Sequence, residues 1–224
     1  MQRFIFLLVV LSGTYGSLAQ QVYIETGRNS SSFDFTNNSG ANLENLQSKT
    51  FSYVAAGYRH QLFTEGLNLT TGLSYNTYGA IGSNAEFLSS FEWDLHYLAL
   101  DLGLDYDLFS VNSFTFYLHA GVSAELMLSG VQTIDNQVID VKNIEEFDDL
   151  PIFLRGGAGL RLPLSDTANI YAQYNYGSGL VLDDNNNSAT TELRIKLHSV
   201  GVGILVDLPC KTKEDAEEAS ENEL

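Results

Sequence analysis

His119, Ser123 and Glu125 share one parity in the segment from Phe114 to Ile134. A base, a hydroxyl and a carboxylate in register are the ingredients of acyl-transfer chemistry. The spacing works against it. On an extended strand, positions i and i+4 lie about 13 Å apart, whereas a nucleophile and its base must approach to about 3 Å. Adjacent His198 and Ser199 face opposite sides of a strand, and His60 and His96 have no evident partner. Segment 135–151 gathers Asp135, Asp140, Glu145, Glu146, Asp148 and Asp149. Clustered carboxylates suit Ca²⁺, but the spacing is not that of an EF-hand and no Gly marks the turn. A solvated acidic loop is the plainer reading. Divalent bridging to lipopolysaccharide phosphates is the intermediate case. No catalytic residue, cofactor or metal ligand is expected. One set of charges remains: Arg59, Asp101, Asp105, His119, Glu125, Arg155 and Arg161 all fall at polar positions of alternating segments.

Those segments alternate with period two. Leu67, Leu69, Thr71, Leu73 and Tyr75 interleave with Asn68, Thr70, Gly72, Ser74 and Asn76. Phe114 to Leu128 repeats the pattern, as do 152–162 and 170–176. Period two means strands with one apolar and one polar face. Eight strands are expected: 21–35, 51–63, 67–78, 92–109, 114–134, 152–163, 168–182 and 191–208. Their connections alternate strictly. Segments 36–50, 79–91, 135–151 and 183–190 are long and polar, whereas 64–66, 110–113 and 164–167 are short. Short periplasmic turns and long outer loops give that arrangement in a transmembrane barrel.

An all-β, eight-stranded, antiparallel up-and-down transmembrane barrel follows. In a soluble binding barrel the apolar face points inward. Here the charged, Gly-rich face fits a narrow interior, and the unbroken apolar face fits lipid. Closure satisfies every backbone group where water is absent. Two strands change phase. Trp93, Leu95 and Tyr97 share one parity, then Leu98, Leu100 and Leu102 take the other; Leu193 to Leu197 and Val200 to Leu208 do likewise. Irregularities are expected near Tyr97 and His198-Ser199, unless Trp93 to Tyr97 simply project above the membrane. A three-residue turn at 111–113 places Asp105 opposite His119. Arg161 lies at similar height, with Glu125 and Arg155 in the outer half. A hydrogen-bonded ionic plug is expected, since buried charges must be paired and eight strands leave room only for side chains.

Composition bounds the alternatives. The 224 residues carry 28 acids against 11 bases, a net charge of −17, which argues against a nucleic-acid partner. One Cys excludes an internal disulfide framework. Met1 to Ala19 reads as a signal peptide: a basic start, the apolar run Phe4–Leu11, and small residues before cleavage after Ala19. The barrel domain spans 20–209, and 210–224 is an acidic periplasmic tail that includes Cys210. The expected location is the bacterial outer membrane. The expected surroundings are outer-membrane lipid and lipopolysaccharide, with envelope proteins as partners of a monomeric barrel.

Asp149-Leu150-Pro151 followed by Ile152-Phe153-Leu154-Arg155-Gly156-Gly157-Ala158-Gly159 carries a resemblance, together with Tyr171-Ala172-Gln173-Tyr174 and Gly201-Val202-Gly203-Ile204-Leu205. The chain resembles the PorT-like small outer-membrane β-barrel proteins of Bacteroidetes-type bacteria along its whole mature barrel. The resemblance implies outer-membrane location and, for some members, a part in protein secretion or gliding. It brings no catalytic residues. Three functions follow from these readings: a non-enzymatic plugged barrel anchoring surface loops, a narrow transport or lipid-handling barrel, or a lipid A-modifying enzyme.

Overall fold

The computed structural model describes residues 20–36, 46–84, 89–142, 151–180 and 192–209. The signal segment, the tail with Cys210, and Glu145, Glu146, Asp148 and Asp149 lie outside the described residues. Among the described residues nine strands form: β1 (Gln20–Thr36), β2 (Gln47–Gln61), β3 (Leu67–Asn84), β4 (Ser89–Val111), β5 (Phe114–Ile134), β6 (Gln137–Asp140), β7 (Ile152–Ser165), β8 (Ala168–Leu180) and β9 (Glu192–Asp207). All pairings are antiparallel, and β4–β5 and β1–β9 contacts close eight strands into a barrel. β6 adds only a short ribbon to β5 between Val131 and Ile134. It folds back through Asp135 and Asn136, both at positive φ (47° and 67°), as a two-residue hairpin requires.

The closure has a definite stagger. Paired residues run from Gln21 through Arg59, Thr70, Gly103, Gly121, Arg155, Gly177 and Leu197, and return to β1 at Ser31, ten residues along. A shear of ten over eight strands, at about 3.3 Å rise and ~4.7 Å strand spacing, tilts the strands by about 40°. The outer wall is apolar: Ile24, Leu73, Leu100, Leu118, Leu126, Leu154 and Val200 are all exposed. Glu25, Asn29, Arg59, Asn68, Asp105, Ser123 and Asn175 are buried on the opposite, inward parity.

Several sequence expectations need correction. Segment 79–91 is mostly strand, because β3 and β4 continue pairing out to Asn84 and Ser89. The turn after β4 has two residues, not three. Asn112 takes a positive φ of 56°, and Val111 pairs with Phe114. A one-residue bulge at Leu108 then restores the register, so Asp105 still faces His119. The register also slips once near Tyr97, but Leu128 of β5 is the extra residue, lying between partners Met127 and Ser129. β4 itself keeps phase: Trp93, Leu95, Tyr97, Ala99 and Asp105 are all buried at odd positions. β9 has no slip at His198-Ser199, since its pairing with β1 and β8 is continuous.

The reason is an inversion of polarity rather than of the chain. Below Tyr97 the interior of β4 is polar and its outside apolar. Above it the outside carries His96, Asp94 and Glu92, while Trp93 and Leu95 fill the interior. On β9, Ile195 and Leu197 point in as His198 and Arg194 point out. Phe33, Tyr78, Trp93, Leu95, Tyr97, Met127, Val141, Phe153, Ile195 and Leu197 pack into one apolar cap inside the outer end of the barrel.

Candidate functional site

Beneath the cap the interior is a polar core in three clusters. Lowest is an arginine–aspartate group. Arg59 Nε donates to Asp105 Oδ2 at 3.1 Å, and Asp105 Oδ1 bonds His119 Nδ1 at 2.7 Å. Arg59 also reaches Gln21 Oε1 at 2.7 Å and Asp107 Oδ1 at 3.4 Å. Arg161 donates to the other Asp107 oxygen at 2.7 Å. Strands β2, β4, β5 and β7 position these groups because each carries its charge at an inward parity near the short-turn end.

The middle cluster surrounds Glu25. Tyr53 donates to Oε1, Gln173 Nε2 donates to Oε2 at 2.7 Å, and Tyr171 adds a further hydrogen bond. Tyr117 in turn donates to Gln173 Oε1 at 3.1 Å. Glycines make room for these rings. A Cβ on Gly159 would stand 2.4 Å from the Tyr117 ring, and one on Gly203 would stand 2.4 Å from Tyr171. Bulky residues there could not coexist with inward tyrosines.

The upper cluster centres on Glu125, which is 0% exposed. Its Oε1 accepts from Arg155 Nη2 at 2.6 Å, Tyr78 at 2.8 Å and Ser123 at 3.1 Å. Asn29, Asn76, Ser74 and Ser199 form a hydrogen-bonded chain alongside. A cavity of about 90 Å³ remains between the clusters, lined by Glu25, Arg59, Asp101, His119, Arg155 and Asn175 among others. That is room for a few waters. Glu125 Oε2, Arg155 Nε, Arg161 Nη1 and Asn175 Oδ1 are buried without a protein partner.

The sequence-selected residues therefore all point inward but fall into separate groups. Arg59, Asp105, His119 and Arg161 belong to the lower cluster, Glu125 and Arg155 to the upper, and Asp101 lines the cavity between them. Arg161 meets Asp107 rather than Asp105. Asp107, Glu25, Tyr53, Tyr78 and Gln173 were not selected, although the same alternation marks each as inward. Ser123 donates to Glu125, and His119 is held by Asp105, so hydroxyl and imidazole are engaged separately. Among the described residues no cluster of carboxylates, His or Cys could hold a metal. Asp135 and Asp140 instead cap backbone amides of Ser90 and Lys142.

No protein-family model matches the chain, and no curated protein does. Among solved structures the barrel is similar to Neisserial surface protein A, at 11% identity over 83% of this chain and 96% of that one, with a TM-score of 0.47. It is also similar to OprG from Pseudomonas aeruginosa (14% identity, 86% and 98% covered, TM-score 0.46). A third is the outer membrane protease OmpT from Escherichia coli (8% identity, 87% and 99% covered, TM-score 0.48). At these identities the likeness concerns the fold alone.

Proposed function

We propose that the chain is a non-enzymatic integral outer-membrane barrel, closed by its own side chains and serving as a rigid anchor for its outer hairpins. The observation that carries this reading is the radial segregation: apolar outside, polar and hydrogen-bonded inside, with an apolar cap over the outer end. A solute path would have to cross both the Glu125–Arg155 cluster and the ring of Tyr78, Tyr97 and Phe153. Each of those is filled by side chains. The projecting β3–β4 and β5–β6 hairpins then become the surfaces offered to envelope partners. The PorT-like motifs around Pro151 and Gly201 support a place beside secretion or gliding machinery, which a pull-down from outer-membrane extract tests. Planar-bilayer recording tests closure. The expected result is a flat baseline after insertion, and steady single-channel steps would overturn it.

A further inference from the structure

The apolar wall is not equally tall all round. On β5 the outward positions stay apolar from Phe114 through Leu118 and Val122 to Leu126. Twelve residues at this tilt rise about 30 Å, enough to cover a ~25 Å apolar band. On β9 the run is Val206, Ile204, Val202 and Val200, about 15 Å, and His198 follows. On β1, Thr26 and Arg28 follow Ile24; on β2, Ser52 follows Val54. The polar zone therefore dips lowest along β9, β1 and β2.

Arg28 stands at that edge. It is exposed on the outward parity, between Val200 of β9 and Ser52 of β2. It has no hydrogen bond or ion pair among the described residues. At this level an Arg costs little, because its stem can lie on the apolar wall while the guanidinium reaches water or an anionic headgroup. His198 lies diagonally across the β1–β9 ladder, opposite Ser30. The Tyr174 hydroxyl bonds its Nδ1 at 2.7 Å, and the Tyr176 ring lies 5.1 Å from the imidazole. A ring accepting at Nδ1 carries its proton on Nε2, a second donor for an anion. At the next level the backbone register sets Asp34 opposite Arg194. In a chain with 28 acids, no outward position from Val22 to Ser32 or from Val206 to Lys196 is acidic. Directly below runs an apolar groove of about 520 Å³, lined by Val22, Ile24, Ile170, Val202, Ile204 and Val206.

We infer that this face seats a phosphate-bearing lipid of the outer leaflet, its phosphate on Arg28 and His198 and an acyl chain in the groove. The inference rests on the membrane reading above. Cationic charge, donor geometry and groove lie in the order an anionic amphiphile presents them: headgroup uppermost, chain beneath. Tyr174 and Tyr176 occupy the interfacial level where such rings are favoured.

The test uses the full chain folded in detergent micelles. It is incubated with diphosphoryl lipid A or its chemically dephosphorylated form, and native mass spectrometry counts the retained lipid. At least about a tenfold preference for the diphosphoryl form is expected, consistent with loss of one charge-assisted contact set. Arg28→Gln should cut that preference at least fivefold, while Lys142→Gln on the exposed outer hairpin should not change it. Heat-modified gel mobility confirms that each variant is folded. Equal retention of both lipids overturns the site, as does a preference unchanged in the Arg28→Gln/His198→Gln double variant. Displacement of lipid A by inorganic phosphate alone would assign the site to a free anion and overturn the lipid claim. Failure to enter micelles or vesicles overturns the membrane reading and the site with it, whereas insertion without lipid selection overturns the site alone.

Discussion

Removal of the Arg155 guanidinium should be among the most damaging single changes inside the barrel. Glu125 is fully enclosed, and all three of its hydrogen bonds converge on Oε1. Arg155 supplies the only countercharge bonded to it among the described residues. Arg155→Met keeps the stem volume but leaves a buried carboxylate facing Tyr78 and Ser123 alone. Breaking one side of such a pair costs about 3–5 kcal/mol, mostly as the penalty of the stranded charge. Glu125→Gln strands the Arg155 charge instead, but that guanidinium is partly exposed, still bonds Tyr78 and keeps an amide acceptor, so the cost should be smaller, about 1–3 kcal/mol. The double variant should then lose clearly less than the sum. Urea unfolding from lipid vesicles measures this. Trp93, the one tryptophan of the chain, lies in the cap and reports the loss of packing by fluorescence. At a urea dependence of ~1–3 kcal/mol per molar, a 3 kcal/mol loss lowers the midpoint by about 1–3 M. A loss under about 1 kcal/mol, or single effects that add within ~0.5 kcal/mol, would refute the reasoning.

Two further perturbations separate the interior from the surface. Gly159→Ala drives a Cβ to 2.4 Å from the Tyr117 ring and should destabilise by about 1–3 kcal/mol, whereas a Cβ on outward Gly156 meets nothing nearer than 3.9 Å and Gly156→Ala should be neutral in the same unfolding assay. Lys49 bridges Glu92 and Asp94 near the outer end of β2; burial opposes its charge, but the hydrogen bonds to Asp94 and Glu92 outweigh it and hold its pKa above the ordinary value. Those carboxylates are partly solvated, so Lys49→Met should cost no more than ~1 kcal/mol, and a loss comparable to that of Arg155→Met would show that solvent screening has been overrated here.

The barrel was legible because its alternation is strict where lipid and interior differ most. Strands 114–134 and 152–163 were placed almost to the residue for that reason. The Asp105–His119 contact was reached through a turn one residue too long, and holds because the Leu108 bulge compensates for it. What failed was the outer third. There the contrast between faces reverses, so Trp93, Leu95 and Tyr97 looked like a chain that had flipped. A period-two pattern reports which parity is apolar. It does not report whether the apolar parity points in or out. Bulges were hidden for a related reason: Leu108 and Leu128 are ordinary leucines, and only the pairing on both sides reveals them as extra. Glu25, Asp107 and Tyr78 were missed because most of their partners (Gln173 for Glu25, Arg59 and Arg161 for Asp107, Glu125 and Arg155 for Tyr78) sit on non-adjacent strands, brought together by the closure rather than by any spacing in the chain.

The inversion also explains how one barrel can be sealed by two kinds of matter. Where the wall meets hydrocarbon, apolar side chains gain nothing by turning inward, so the interior is left to groups that bond one another. The inward carboxylates Glu25, Asp101, Asp105, Asp107 and Glu125 outnumber the inward Arg59, Arg155 and Arg161. Counter-ions alone cannot hold them, and tyrosine hydroxyls and Gln173 supply the remaining donors around Glu25. Inward glycines follow from that choice, because rings large enough to reach a central carboxylate need bare backbone to lie against. Above the hydrocarbon the outer wall faces water, and the hydrophobic effect again rewards apolar burial. The strands then fold as a soluble barrel would, and Trp93, Leu95, Phe153 and Leu197 close the top. On the membrane reading proposed above, the cap is the physical consequence of strands continuing past the hydrocarbon, and its position would mark that edge from the inside.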